Sequence, residues 1–161
     1  MITSTKNDQV KAVIELKKKA RARNEQGLFV VEGVRMAAEL PKEQVKSVYV
    51  SETFTKNPEN AAILEEYPGY ELVSDSVFAA MSDTQTPQGV LFLCQLPERA
   101  LPEKLEGQRY LVLDGVQDPG NVGTLWRTAD AFGADGMILL PGCADPWSPK
   151  TLRATMGACF R

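Results

Sequence analysis

Short apolar runs alternate along the chain with longer stretches in which apolar residues recur at helical spacing. In the first 96 residues, four such runs bounded by turn-forming residues predict β-strands. They cover residues 28–31, 45–50, 70–73 and 90–94. The last run is apolar at every position, which favours a strand inside the sheet rather than at its edge. Because helical stretches separate these strands, residues 1–96 are expected to form a small α/β sandwich.

The first predicted helix, residues 8–23, combines an apolar stripe with a cluster of basic side chains. The stripe runs from Val10 to Ala20 and includes the aliphatic stem of Lys17. The basic side chains that point away from the stripe are expected to reach solvent: Lys18, Lys19, Arg21 and Arg23. Further helices are predicted up to about residue 40, over 59–67, and over 75–81 with Asp75 as the cap.

A change of composition separates this module from the next. Residues 97–109 combine prolines, a glycine and many charges, which is typical of a linker. In the second module, residues 110–161, we predict strands at 110–113 and 137–140, a helix over 122–132, and a further helix from residue 150. The stripe of the first of these helices consists of Val122, Leu125, Trp126, Ala129 and Phe132. So few elements bury their apolar faces poorly, and we expect this module to be the front part of a longer domain.

Several classes of protein are excluded by what the chain lacks. It contains no histidine, which excludes Ser-His-Asp and Cys-His catalysis and histidine-ligated metals, and no metal site is expected. The three cysteines, Cys94, Cys143 and Cys159, have no zinc-binding spacing and indicate reduced thiols in a cytoplasmic protein. No apolar run approaches the roughly 20 residues that span a bilayer, and the N-terminus has no signal-peptide core.

The distribution of charge is more informative than its sum. The net charge of −3 does not suggest a nucleic-acid partner, yet the first 23 residues hold seven lysines and arginines against two carboxylates. Such a basic block is either a local phosphate-binding footprint or a solvated helix face. Charge alone favours the solvated face slightly.

The loop 114–124, between a predicted strand and a predicted helix, is the first candidate site. In an open α/β sheet, a ligand crevice forms outside the carboxyl end of a strand. Gly115, Gly120 and Gly123 permit tight turns there, and Asn121 stands where a helix N-cap would be. The loop fits neither the dinucleotide-binding fingerprint nor the P-loop. The alternative is an ordinary strand-to-helix turn.

Three basic residues nearby are further candidates. Arg127 lies just inside the helix that starts at this crevice, which suits binding of a phosphate or carboxylate. Lys150 and Arg153 are three residues apart and therefore share a helix face. For all three, the alternative is a solvent-exposed side chain with no ligand.

Residues 114–133 resemble the first signature motif of the SpoU (TrmH-like) family, the RNA 2′-O-ribose methyltransferases of the SPOUT class. The resemblance rests on the Pro-Gly-Asn-x-Gly core and on an arginine six residues after the asparagine. Residues 148–158 also resemble the family. Residues 19–33 and 86–90 resemble its N-terminal substrate-binding domain, which is similar to small RNA-binding ribosomal proteins.

The resemblance implies a fold, a reaction and a set of residues. The fold would be a small α/β sandwich that binds RNA, followed by the first part of an α/β-knot (SPOUT) methyltransferase domain. The reaction would move a methyl group from S-adenosylmethionine to a ribose 2′-hydroxyl of rRNA or tRNA. Asn121 and Arg127 would be catalytic, with Arg127 acting either as a base or as a phosphate clamp. The implied RNA-binding residues are Lys18, Lys19, Arg21, Arg23, Lys150 and Arg153.

The family's second and third motifs, which build the cofactor pocket and the knot, have no counterpart in the 161 residues. The cofactor-binding residues are therefore expected beyond Arg161, and a chain of this length is expected to be inactive by itself. The whole protein is expected to be a homodimer. Two alternatives remain: a non-catalytic RNA-binding module in which residues 1–96 do all the work, and an α/β enzyme that acts on a small phosphorylated substrate.

Overall fold

The computed structural model describes all 161 residues, which form two compact units, Met1–Leu96 and Pro97–Arg161. Residues 97–109, predicted as a linker, are part of the second unit. Both units are mixed α/β structures, which confirms the predicted fold class. None of the helices is long and apolar enough to cross a membrane.

The first unit contains six helices and four strands. In chain order they are α1 Asp8–Lys18, α2 Ala20–Gln26, β1 Leu28–Glu32, α3 Val34–Ala37, β2 Val45–Ser51, α4 Glu52–Lys56, α5 Ala61–Glu66, β3 Glu71–Val73, α6 Asp75–Met81 and β4 Val90–Gln95. Short 3-10 turns add Lys42–Gln44 and Pro58–Asn60. Each predicted strand is present to within about one residue. Ser74 rather than Asp75 caps α6, by accepting from the amide of Val77.

The four strands form one sheet in the order β1-β4-β2-β3. Strand β4 is antiparallel to β1 and β2, and β3 is parallel to β2. The inner position of β4 confirms the prediction from its unbroken apolar run. Helices cover both faces, because Leu91 belongs to the cluster formed with α1, α2 and α6, while Phe92 contacts the ring of Tyr67 edge-on at 5.3 Å. The predicted sandwich is therefore complete around one sheet.

The predicted helix 8–23 is two helices. Lys19 has extended backbone angles, φ −122° and ψ 117°, and separates α1 from α2. Arg23 stabilises this break, since its Nη1 donates to the carbonyl oxygens of Leu16 at 2.7 Å and Lys17 at 3.2 Å. The last carbonyls of a helix have no partner within the helix, and the guanidinium supplies one. Arg23 is only 3% exposed, so the expectation that it reaches solvent is wrong.

Lys17 is buried to its tip and not only along its stem. Its Nζ lies 2.5 Å from a carboxylate oxygen of Asp83 and 3.7 Å from one of Glu32, and it donates to the carbonyl of Met81. Ser82 Oγ donates to Glu32 at 2.5 Å. These contacts connect the end of α1 to the end of β1 and to the segment after α6.

The second unit is built on a parallel pair of strands. Its elements are β5 Tyr110–Leu113, α7 Pro119–Ala131, β6 Gly136–Leu139 and α8 Pro149–Thr155, followed by a 3-10 turn, Ala158–Phe160. Helix α7 starts three residues earlier than predicted. It also ends before Phe132, which is 78% exposed, so the predicted stripe is wrong at its last position.

The segment before β5 is held to this unit by Asp135. The backbone amides of Arg109 and Gln108 donate to its carboxylate at 2.9 and 2.8 Å and lower its pKa. Farther upstream, residues 97–102 and Leu105 line a cavity of about 540 Å³ together with β6. Trp126 and Trp147 also line it, with their rings edge-to-face at 5.5 Å. These contacts explain why the predicted linker is part of the unit.

Candidate active site

The carboxyl ends of β5 and β6 meet at one edge of the second unit, where their loops bind each other. The amide of Leu140 donates to the carbonyl of Leu113 at 2.9 Å, and that of Ala144 donates to Val116 at 2.8 Å. Gly115 has a φ of +65°, which disfavours residues with a side chain. The crevice predicted at the end of the first strand is therefore bounded by two hydrogen-bonded loops.

Helix α7 begins at this edge, and Asp118 is its cap. Asp118 Oδ1 accepts from the amide of Asn121 at 2.9 Å, and Pro119 occupies the first helical position. The capping role predicted for Asn121 is thus wrong, because the helix starts earlier. Its own side chain is exposed and has no hydrogen-bond partner within the chain, which leaves the amide group available to a ligand.

Gly123 brings α8 against α7. A Cβ atom at this position would lie 2.5 Å from Ala154 Cβ and would also meet the carbonyl oxygen of Thr151. Real Cβ atoms do not approach this closely, so the crossing requires glycine. Gly123, which was predicted to permit a tight turn, therefore lies within α7 and allows a neighbouring helix to approach.

Arg127 lies one turn after this crossing, on the same side of α7. It is exposed, and no hydrogen bond or ion pair within the chain engages its guanidinium. One turn farther, Asp130 accepts from Arg161 Nε at 2.9 Å. Arg127 and Asn121 are separated by about 9 Å along the helix axis and by roughly 120° around it. The structure therefore places both on the accessible part of one helix, but on different faces.

The two predicted cations of α8 differ in exposure. Lys150 is exposed in the first turn of the helix, and Arg153 is partly buried in the last turn. Ser148 caps α8 by accepting from the amide of Thr151. Because α8 packs on α7 at Gly123, these cations belong to the same helix pair as Arg127.

The four predicted cations of the first unit are not equivalent. Lys19 pairs with Glu15 at 3.1 Å and Arg21 with Glu25 at 2.8 Å, while Arg23 is buried. Lys18 is exposed and has no partner within the chain. Only one of the four is therefore free of a partner.

Lys11 is a further cation that the sequence reasoning did not single out. It is exposed, has no partner within the chain, and precedes Lys18 by seven residues, which places both on one side of α1. The seven-residue spacing in the sequence could have identified Lys11 as a neighbour of Lys18.

No group of three or more potential metal ligands is found. S-adenosylmethionine is the cofactor that the family resemblance implies, and the residues present do not enclose a site for it. The crevice at the ends of β5 and β6 is bounded by two loops that bond to each other. The cavity beside β6 is lined mainly by apolar side chains such as Met137, Leu139 and Trp147. No cofactor contact is therefore assigned to residues of this chain.

Comparison with known proteins gives two matched regions. Residues 7–91 match the MRM3-like substrate binding domain, and residues 108–161 match the SpoU rRNA Methylase family. The chain belongs to the SpoU rRNA methylase family. The resemblance found in the sequence is thereby confirmed. Asn121 and Arg127 lie in the second region, and the basic cluster of α1 and α2 lies in the first.

Individual relatives agree with this assignment. The chain is 37% identical over 161 residues to the 23S rRNA (guanosine(2553)-2′-O)-methyltransferase RlmP of Bacillus subtilis, covering 99% of this chain and 62% of that protein. It is 30% identical to the human mitochondrial rRNA methyltransferase 3, of which it covers 38%. The crystal structure of an AdoMet-bound rRNA methyltransferase from Sinorhizobium meliloti superposes with a TM-score of 0.77 at 32% identity, covering 99% of this chain and 61% of that one. The chain thus spans about three fifths of these bacterial relatives.

Proposed function

We propose that this SpoU-family protein transfers a methyl group from S-adenosylmethionine to a ribose 2′-hydroxyl of 23S rRNA. The observation that carries the proposal is the exposed, unpartnered Arg127 within the matched methylase region. The name of the 37%-identical RlmP supports both the 2′-O position and the rRNA class. Because the chain spans only 62% of RlmP, the activity is proposed for the whole protein.

Arg127 and Asn121 are the proposed catalytic residues. A ribose 2′-hydroxyl is a weak nucleophile that must lose its proton during attack, and the chain has no histidine to accept it. Since arginine is effectively always protonated, we propose that Arg127 binds the phosphate next to the target and positions the hydroxyl. Positioning alone can account for a large part of a rate enhancement. Asn121 would orient the ribose through its free amide group.

Each unit has its own proposed RNA-binding surface. In the first unit it comprises Lys18, Lys19 and Arg21, and Lys11 is added on the basis of its exposure. In the second unit it comprises Lys150 and Arg153. Arg23 is removed, because it is buried against the end of α1. We further propose a cytoplasmic homodimer. The three free cysteines support the compartment, and the family resemblance supports the dimer.

Replacement of Arg127 tests the proposal. In the whole protein, Arg127→Ala should lower methyl transfer from radiolabelled S-adenosylmethionine to 23S rRNA by about 100-fold or more, because the hydroxyl is no longer aligned. Binding of S-adenosylmethionine should change little. Thr124→Ala, an exposed change one turn earlier on α7, is the matched control and should retain activity. Near-normal turnover by the Arg127 variant would contradict the assignment.

The second candidate function is RNA binding without catalysis. It is favoured by one observation, namely that residues 7–91, more than half of the chain, match a substrate binding domain. Calorimetry with S-adenosylmethionine separates the two candidates. Tight RNA binding by a whole protein that binds no S-adenosylmethionine would favour the binding module.

A further inference from the structure

We propose that Lys17 and Arg23 are positioning residues that fix the elbow between α1 and α2, residues 17–23, and so hold Lys18 ready for an RNA phosphate. The inference rests on the proposed function and adds to it the residues that organise the RNA-binding surface. It concerns two cations that are themselves buried and cannot touch RNA.

Arg23 fixes the elbow from the side of α2. Its Nη1 donates to two successive carbonyl oxygens in the last turn of α1, those of Leu16 and Lys17. The chain between donor and acceptors includes Lys19, whose extended backbone interrupts the helix. A planar guanidinium has its donors in a fixed arrangement, so these bonds define the angle at which α2 leaves α1.

Lys17 fixes the elbow from the side of the sheet. Its ammonium group is in contact with Asp83, Glu32 and the carbonyl of Met81, and its side chain is only 5% exposed. These partners belong to the end of β1 and to the segment after α6. The last turn of α1 therefore cannot move without separating a buried charge from its partners, which is unfavourable.

Lys18 lies between these two anchors, and its own side chain is exposed and unpartnered. A backbone that is already fixed loses little entropy when its side chain binds, so more of the interaction is realised as affinity. Lys19 and Arg21, which follow it, form exposed ion pairs with Glu15 and Glu25. Such exposed ion pairs contribute little to stability, so an RNA phosphate can replace the carboxylate. The buried cations thus organise the exposed ones.

The test is a double-mutant cycle on RNA affinity. Lys18→Gln, Arg23→Gln and the double variant of the chain are titrated with a fluorescein-labelled RNA hairpin that copies the 23S rRNA segment around guanosine 2553, at several salt concentrations. Loss of one phosphate contact by Lys18→Gln should lower the slope of log affinity against log salt by about 0.7 to 0.9. Arg23→Gln should weaken binding about 2- to 10-fold with an unchanged slope, because no contact is lost. In the Lys18→Gln background, most of the Arg23 effect should disappear.

Two further variants keep the cycle interpretable. Arg23→Lys, which retains the charge and a single donor nitrogen, should recover part of the affinity. It replaces Arg23→Gln if that variant lacks a cooperative unfolding transition. Lys46→Gln, which removes an exposed lysine outside the elbow, should leave the slope unchanged. If the effects of Lys18→Gln and Arg23→Gln on RNA affinity are additive, Arg23 only stabilises the fold. That result would overturn this inference but not the proposed function. A parent chain with no salt-dependent RNA binding would overturn the proposed RNA-binding surface as well.

Discussion

Two buried cations of the first unit contrast with the exposed arginine of the proposed catalytic site in the second. In the first, Lys17 and Arg23 are buried and each is bonded to several groups of the fold. In the second, Arg127 is exposed and bonded to nothing within the chain. A buried cation must be paired, because removal from water is unfavourable unless hydrogen bonds and opposite charges replace the water. A cation that the fold does not use is available to a ligand.

The units also differ in their apolar surface. The sheet of the first unit has four strands and helices on both faces, whereas that of the second has two strands. Six of the seven exposed large apolar side chains lie in the second unit: Leu101, Leu105, Val112, Phe132, Leu140 and Met156. Packing in the first unit is therefore expected to tolerate fewer substitutions, and the comparison can be tested unit by unit.

The largest effect is expected from Lys17→Met. The change leaves Glu32 buried with its charge uncompensated, which should lower the free energy of unfolding by about 3–5 kcal/mol. Chemical denaturation followed by far-UV circular dichroism measures it. Lys18→Met is the matched control, because the Lys18 side chain lies next to Lys17 in the chain but is exposed and unpartnered. This substitution should change the free energy of unfolding by no more than about 0.5 kcal/mol. Equal effects of the two changes would remove the distinction between structural and available cations.

A smaller loss is expected from Gly123→Ala in the second unit. The new methyl group meets Ala154 and the backbone of Thr151, and the α7–α8 contact must open. Overpacking of this kind should lower stability by about 1–3 kcal/mol, which exceeds the gain in helix propensity from replacing glycine. Both tryptophans, Trp126 and Trp147, lie in this unit, so their fluorescence reports its unfolding specifically.

Thr124→Ala adds no new contact and is the control for this measurement, with little change expected. A Gly123→Ala variant as stable as the parent chain would mean that α8 can shift away from α7 without loss. Such a result would weaken the description of Arg127 and the α8 cations as one surface.

Apolar patterns located the strands of both units and most of the helices, but not α4, Glu52–Lys56, which lies in a polar segment where no helix was predicted. Every strand was predicted, including the inner position of β4, because a short apolar run bounded by turn-forming residues is typical of a buried strand. The errors occurred where side chains bond to the backbone. The break at Lys19 depends on Arg23, which lies four residues later, and the start of α7 depends on Asp118. Neither of these hydrogen bonds can be predicted from the positions of the apolar residues.

The candidate site was predictable only in part. Arg127 and Asn121 were identified from a motif, and the structure adds that their side chains are free of partners. The identity of a basic residue does not show whether it is buried, as Arg23 and Lys18 demonstrate. That outcome depends on contacts with carbonyl groups and with carboxylates such as Glu32, which a one-dimensional pattern does not contain.

The smallest expected effect is a difference in acid sensitivity between the units. In the first unit, the backbone amide and then the hydroxyl of Thr53 donate to Asp75 and lower the pKa of its carboxyl group. In the second, the amides of Arg109 and Gln108 lower the pKa of Asp135 in the same way. Because each folded-state pKa lies below the unfolded value, near 3.9, each carboxylate stabilises its unit above that pH, and the contribution is lost as the pH falls through the folded-state pKa.

Asp135→Asn should therefore reduce stability at neutral pH and flatten the acid limb of the tryptophan-monitored unfolding curve, while Asp75→Asn should leave that curve unchanged. The measurement is the urea midpoint from neutral pH down to about pH 2, followed by fluorescence and by circular dichroism in parallel. Circular dichroism should register both variants, since it reports both units. A shift of the fluorescence curve by Asp75→Asn would show that the two units unfold together, and the comparison between them would then hold for their contacts but not for their stabilities.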